Sequence, residues 1–249
     1  MKVGIVILSY NMPEVVQQWH EYIGLTVNWP IEYVVVDNGS ELPLSSFIPE
    51  ERILRLSQNM RTTFGVMAGV QAMYQKGCTH VWPISTSTLP PVLPWTYDPV
   101  ERLMNVFSAC ASVGVVAVSP TFTGESRSWP HQLLFSNGTT TVESHWLLGL
   151  FAMWEINFLM ENVDLRLSWS WGVDMELSAI ARLSRSMYKH NGVTVRLREE
   201  IGYKMGRMTC TQLDREKYAR AEMTEILSMK YGENWKKIMI PFEKYREMM

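Results

Sequence analysis

The sequence predicts an α/β protein with a doubly wound parallel sheet, and three observations carry that expectation. Apolar runs of strand length recur at residues 3–8, 33–36, 53–56, 80–84 and 114–120. Apart from Arg55, His80 and Ser119 these runs are apolar throughout instead of alternating, as strands covered on both faces must be. Segments with helical patterning separate them, which is the rhythm of βαβ units.

The remaining elements follow in order. Pro13 opens a helix to about residue 22, and a second helix is expected over about 65–75. Asp98-Pro99 reads as an N-cap followed by proline at the first helical position, opening a helix to about residue 112. Residues 121–140, rich in Ser, Thr, Gly and Pro, read as loops or short hairpins, and 145–156 as strand then helix. A helix is expected from Asp174-Met175-Glu176 to about residue 188. The turn Asn191-Gly192 and a short strand over 193–197 come next. The last long helix is expected over 211–231, with Thr211 or Asp214 as N-cap and Gly232 as stop. Ala219, Met223, Ile226 and Lys230 share one stripe of it, the lysine stem covering apolar surface while its ammonium stays in water. With no repeat or low-complexity linker, the expected organisation is one domain over 1–204 and a C-terminal helical extension, 205–249, packed on it.

Composition narrows the function classes. The chain has 249 residues, 47% hydrophobic and 19% charged, enough apolar mass for a sizeable core and against wholesale disorder. A net charge of −2 offers no global basic field to nucleic acid. No apolar run approaches the roughly 20 residues that span a bilayer. The opening MKVGIVILSYN passes into polar sequence without a small-residue cleavage site, so it reads as a strand and not a signal peptide. Cys78, Cys110 and Cys210 form no CxxC pair, which fits reduced thiols in a cytoplasmic protein.

Ligands of open α/β sheets bind beyond the carboxyl ends of the strands. Three polar clusters stand there: Ser9-Tyr10-Asn11, Asp37-Asn38-Gly39-Ser40 and Ser85-Thr86-Ser87-Thr88. Asp37 can accept hydrogen bonds from a base or ribose, and Tyr10 can flank a ring. Neither a Walker A loop nor a GxGxxG after the first strand is present, which argues against P-loop and dinucleotide sites.

The succession VGIVILSYN, VVVDNGS, a strand ending near residue 88, and WGVDMELS resembles the GT-A glycosyltransferases, most closely the family 2-like group, over about residues 3–183. The resemblance implies a GT-A fold with a mixed, mostly parallel central sheet. It also implies a nucleotide-diphosphate sugar donor near Ser9, Tyr10, Asn11, Asp37, Asn38, Arg61, Thr86 and Ser87. WGVDMELS is similar to the family's Gly-Glu-Asp-x-Asp-Leu segment: Val173 replaces the Glu, Asp174 is kept, and Glu176 replaces the second Asp. By resemblance Asp174 is the general base of an inverting displacement, with Glu176 the accompanying acid. Trp169 and Trp171 fall on the acceptor side.

Two departures bear on the metal. The family's fourth strand ends in an Asp-x-Asp that holds Mn²⁺ or Mg²⁺ on the diphosphate, and here hydroxyl residues fill that place. The later metal-ligating His is absent from IGYKMGRMT. Any metal would rest on Asp174 or Glu176 and the donor phosphates. A metal-independent site would use Lys204 and Arg207, with Arg61, against the diphosphate. A degenerate site that binds nucleotide or sugar without turnover is the alternative from another class, and nucleotidyl transfer suits the missing acids worse. The expected acceptor is a glycan. The small size, the altered metal motif and the KYGENW tail resemble phage-encoded glycosyltransferases, which adds hydroxymethylated DNA bases as a minority acceptor.

Each residue also has an ordinary reading. Asp37 serves equally as a turn former, Asp174 as a helix cap and Glu176 as a first-turn acid favoured by the helix dipole. Lys204, Arg207 and Arg61 serve equally as surface cations, and the tryptophans as core.

Overall fold

In the structure, a computed structural model, residues 1–90, 98–109, 115–123, 131–136, 139–144, 149–188, 193–204 and 212–240 are described. Strand β1 (Val3–Ser9) is buried at every position. Its backbone is satisfied on both edges, by β2 (Ile31–Asp37) and β4 (His80–Ser85), both parallel to it. β3 (Ile53–Arg55) pairs in parallel with the outer edge of β2.

Beyond β4 the sheet becomes mixed. The order is β3-β2-β1-β4-β9-β6-β10-β8-β7, with β5 (Thr88–Leu89) pairing to β10. β9 (Met153–Glu155) runs antiparallel between β4 and β6 (Val115–Thr123). β10 (Val193–Lys204) is parallel to β6 and antiparallel to β8 (Thr139–Ser144), which pairs with β7 (His131–Ser136) as a hairpin. Only β5, β8 and β9 run against β1, so the sheet is mostly parallel.

Side chains alternate across a strand, so β1 serves two cores at once. On one face Ile5 and Ile7 join Trp82 and Ile84 under α1 (Pro13–Thr26) and α3 (Pro99–Ala109), with Trp19, Leu103 and Met104 filling the layer. On the other face Val6 and Leu8 meet Val66 and Val70 of α2 (Arg61–Gln75) and Trp154 of β9. The same cluster holds Leu159 of α4 (Ile156–Asn162) and Val173 and Leu177 of α5 (Val173–Tyr188). Met223, Leu227, Trp235 and Met239 also belong to it, so α6 (Gln212–Tyr231) and α7 (Trp235–Met239) share this core with β1.

Several boundaries differ from the sequence expectation, each for a tertiary reason. α2 starts at Arg61 instead of residue 65, because Asn38 and Asn59 side chains hold its first backbone groups. β10 runs to Lys204, well past residue 197, because its far end finds β5 as a partner. The apolar stretch over 145–156 contributes the three-residue strand β9 before α4, a pairing set by distant chain. The Asp98 cap is as expected: Oδ1 accepts from Val100 N and Glu101 N at 2.8 and 3.2 Å. Its Oδ2 also accepts from Asn28 N and Trp29 N, tying α3 to the end of α1. Among the described residues no helix is long and apolar enough to cross a membrane.

His80 opens β4 and is buried edge-to-face against Phe107 at 4.5 Å, its Nδ1 bonded to the Thr79 hydroxyl. Burial lowers its pKa from 6.5 to about 4. Below pH 6.5 the unfolded chain takes up a proton that the folded chain refuses, so stability is greatest above that pH and falls until about pH 4. Urea unfolding across this window should show a loss of about 3 kcal/mol that His80→Gln flattens.

Candidate functional site

The parallel registers bring three strand ends side by side. Ser9 lies opposite Asp37, and Leu8 opposite Ser85. Backbone bonds carry the alignment past the strands: Asn38 N donates to Ser9 O at 2.9 Å and Thr86 N to Leu8 O at 3.3 Å. The clusters Ser9-Tyr10-Asn11, Asp37–Ser40 and Ser85–Thr88 therefore form one edge, as the strand-end rule requires.

The second cluster is a braced turn. Asp37 is fully buried; its Oδ1 accepts from Ser40 N at 2.9 Å, and its Oδ2 faces Arg55 Nη1 at 2.7 Å. Arg55 also donates through Nη2 to Ser40 O at 2.7 Å, closing a bidentate clasp. Gly39 is at φ +75, where a side chain would run into the Gln58 backbone. Ser40 Oγ accepts from Asn11 N, and Asn11 Oδ1 from Glu41 N, so the first cluster is laced to the second. Arg55 was not legible as a site residue, since one arginine at the end of a short strand carries no pattern.

The hydroxyl run is a self-satisfied tight turn. Ser85 Oγ lies 3.0 Å from Ser87 Oγ and accepts from Ser87 N, and Thr88 Oγ1 donates to Ser85 O. Trp19 Nε1 donates to Thr88 O, seating the turn on α1. The half-buried Thr86 and Tyr10 stand beside it. Lys204, at the end of β10, pairs through its backbone with Thr88, so β10 reaches this same edge. Arg207 lies outside the described residues.

Not every expected donor residue points outward. Ser9 Oγ is buried without a hydrogen-bond partner. Asn38 is buried too and spends its amide on the protein: Nδ2 donates to Asn59 Oδ1 and Arg61 O, and Oδ1 accepts from Met60 N. Both therefore shape the edge from below. Arg61, at φ 64, lays its guanidinium over the Trp169 ring at 4.7 Å. Its Nη1 bonds Ser168 Oγ at 2.6 Å and faces Glu222 Oε2 at 3.3 Å. This geometry directs Arg61 to the loop before α5, and it covers one face of Trp169. Trp171 is half-buried, with Arg220 5.9 Å from its ring centre.

That loop delivers Asp174. Ser170 and Gly172 both take positive φ, and Glu176 N then donates to Gly172 O to start α5. Asp174 stands in the first turn, buried, with Oδ1 accepting from Met175 N at 3.0 Å. Glu176 differs from its expected role as a second site acid. It is fully buried, and its Oε1 is held by Lys230 Nζ at 2.5 Å and Tyr231 Oη at 2.8 Å. Lys230, expected to snorkel, instead turns its ammonium to this carboxylate and to Asp164. Burial, aided by the Glu176 charge, pushes the Tyr231 hydroxyl well up, so it remains a donor.

A resident Mn²⁺ or Mg²⁺ needs several oxygen ligands, most of them charged. Here the hydroxyls of the β4 turn bond one another, Asp37 is clasped by Arg55, and Glu176 by Lys230 and Tyr231. Among the described residues no group of three His, Cys, Asp or Glu side chains is disposed to hold a metal ion. Among the described residues the donor set does not fit a divalent ion held by protein side chains alone.

The Arg55 clasp is open to a direct test. Arg55→Met leaves a buried carboxylate without its cation; with Arg55 half-exposed, the expected loss is about 2 kcal/mol in urea unfolding. Adding Asp37→Asn should restore part of it.

No protein-family model matches the chain, and no curated protein matches it. Solved structures do. TarS of S. aureus aligns at a TM-score of 0.64 with 11% identity, covering 97% of this chain and 43% of that one. A TarS fragment, residues 1–349, in complex with UDP-GlcNAc aligns at 0.62 with 14% identity, covering 100% and 73%. The mannosyltransferase PcManGT of Pyrobaculum calidifontis, in complex with GDP-Man and Mn²⁺, aligns at 0.59 with 13% identity, covering 99% and 70%. The chain thus spans less than half of that TarS chain. These neighbours are GT-A glycosyltransferases, and the fold of this chain is the GT-A fold.

Proposed function

We propose that the protein moves a glycosyl group from a nucleotide-diphosphate sugar to an acceptor hydroxyl, with Asp174 as general base. The observation that carries this reading is the placement of one buried carboxylate, Asp174. It stands in the first turn of α5 after a turn with two positive-φ residues; Arg61 and Thr63 bind the preceding loop at Ser168, and Asn38 of the strand-end edge holds Arg61 O. The neighbours in complex with UDP-GlcNAc and GDP-Man lend the donor class.

In this reading the braced turn at Asp37 and the ring of Tyr10 receive the nucleoside. Thr86 and Ser87 line the diphosphate side, where Lys204 and Arg207 neutralise the leaving charge by electrostatics. Asp174 accepts the proton of the acceptor hydroxyl as it attacks the anomeric carbon from the face opposite the leaving diphosphate, giving inversion. Ordering two reactants on one edge supplies much of the rate. Trp169 and Trp171 offer the aromatic surface for a glycan acceptor, each with a guanidinium near its ring, Arg61 at 4.7 Å and Arg220 at 5.9 Å. A hydroxymethylated DNA base as acceptor would show steep salt dependence of binding. The second reading, a nucleotide- or sugar-binding module, draws on the self-satisfied hydroxyl turn of β4.

Asp174→Asn should abolish sugar transfer while the shift in melting temperature caused by UDP or GDP stays within error of wild type. Retained turnover in that variant overturns the base assignment. A nucleotide-induced shift that survives EDTA is expected from a site neutralised by cations, and a shift lost in EDTA overturns that part.

A further inference from the structure

We infer that α6 is the positioning clamp of Asp174, with Glu222 and Lys230 gripping the two flanks of the segment 168–176. The inference deepens the proposed reaction and rests on Asp174 being its base.

The grip on the loop side comes from Glu222. Its Oε2 accepts from Ser168 Oγ at 2.6 Å and faces Arg61 Nη1 at 3.3 Å, and its Oε1 accepts from Trp169 N at 3.2 Å. The grip on the helix side comes from Lys230 and Tyr231, which hold Glu176 Oε1. Lys230 also reaches Asp164 Oδ2 at 3.4 Å, and Asp164 is bonded to Arg166, so both ends of the loop meet the same ammonium. Between the grips Gly172 sits at φ +84, and a Cβ there would come within 2.7 Å of Met223 Cγ and 3.3 Å of Leu227 Cδ1.

Positions 223, 227, 230 and 231 fall on one helical face, with 222 at its margin, so a single rigid helix sets all these contacts. Asp174 lies inside the gripped segment, two residues from Gly172 and two from Glu176. The grips of α6 hold the backbone and side chains on either side of it, at Ser168, Trp169 and Glu176. Glu222, Lys230 and Tyr231 are thus positioning residues. These contacts are not idle surface: Glu176 is fully buried, and its Oε1 against Lys230 and Tyr231 ties the first turn of α5 to α6.

The test is hydrogen exchange on the full chain, followed peptide by peptide. Glu222→Ala should speed exchange over 168–177 about tenfold while β1, β2 and β4 keep wild-type protection. Lys230→Met alone strands a buried charge and risks misfolding, so the paired variant Glu176→Gln with Lys230→Met is measured as well and should loosen the same segment. Glu225→Ala, exposed on the same helix, serves as control and should change nothing. Acceleration spread evenly over the fold, none at all, or as much in the control overturns the clamp. With active wild type, Glu222→Ala should lower kcat about tenfold or more with donor KM within about twofold, and Glu222→Gln should recover part of it. Equal losses in kcat and donor affinity overturn the positioning role. A wild type silent with every donor sinks the transfer reading, and the exchange pattern still decides the clamp.

Discussion

The burial of β1 is the constraint on which the rest of the structure depends. A strand covered on both faces and both edges leaves every backbone group to be answered by protein. Parallel partners on each edge answer them, and the registers Ser9 opposite Asp37 and Leu8 opposite Ser85 follow. A shift of one residue would exchange the two cores, sending Ile5 and Ile7 to the side of α2 and Val6 to that of α1. The alignment of the three polar clusters is thus a by-product of packing. A site assembled from strand ends inherits the rigidity of the sheet, which suits chemistry that relies on holding reactants in place.

The polar residues at that edge divide their labour. Asn11, Asn38 and Ser40 are used by neighbouring loops, Ser9 Oγ is buried without a partner, and Asp37 is pinned between Ser40 and Arg55. What remains facing outward is a shaped surface with few acids. A diphosphate brought to such a surface meets hydroxyls and backbone where related chemistry uses carboxylates and a cation.

α6 changes the meaning of the C-terminal segment. Met223 and Leu227 pack in the core cluster of Val6 and Leu8, while Glu222 and Lys230 make polar contacts at either side of the same face. Apolar and charged residues therefore share the inward side. A helix of this kind looks weakly amphipathic in sequence, because the periodic signal assumes that charge faces water. Its loss would expose both the core and the loop before α5.

Much of the fold was legible in residue order alone. Runs 3–8, 33–36 and 81–84 are apolar without alternation, and that property is local: it demands two covered faces wherever the strand lies. The Asp98-Pro99 cap, the turn at Asp37–Ser40 and the first turn of α5 at Asp174 are likewise local, set by side chains that bond nearby backbone. The tertiary structure alone decided the three-residue β9, the reach of β10 to Thr88, the Arg55 clasp, and the burial of Glu176 against Lys230 and Tyr231. Each joins residues far apart in the chain, and an arginine or glutamate in isolation reads the same whether it ends in solvent or against a buried partner. Residue order determined which segments must be covered and which backbone groups are capped nearby; only the packed chain decided which distant charge answers which, because that choice depends on distances the order of residues does not contain.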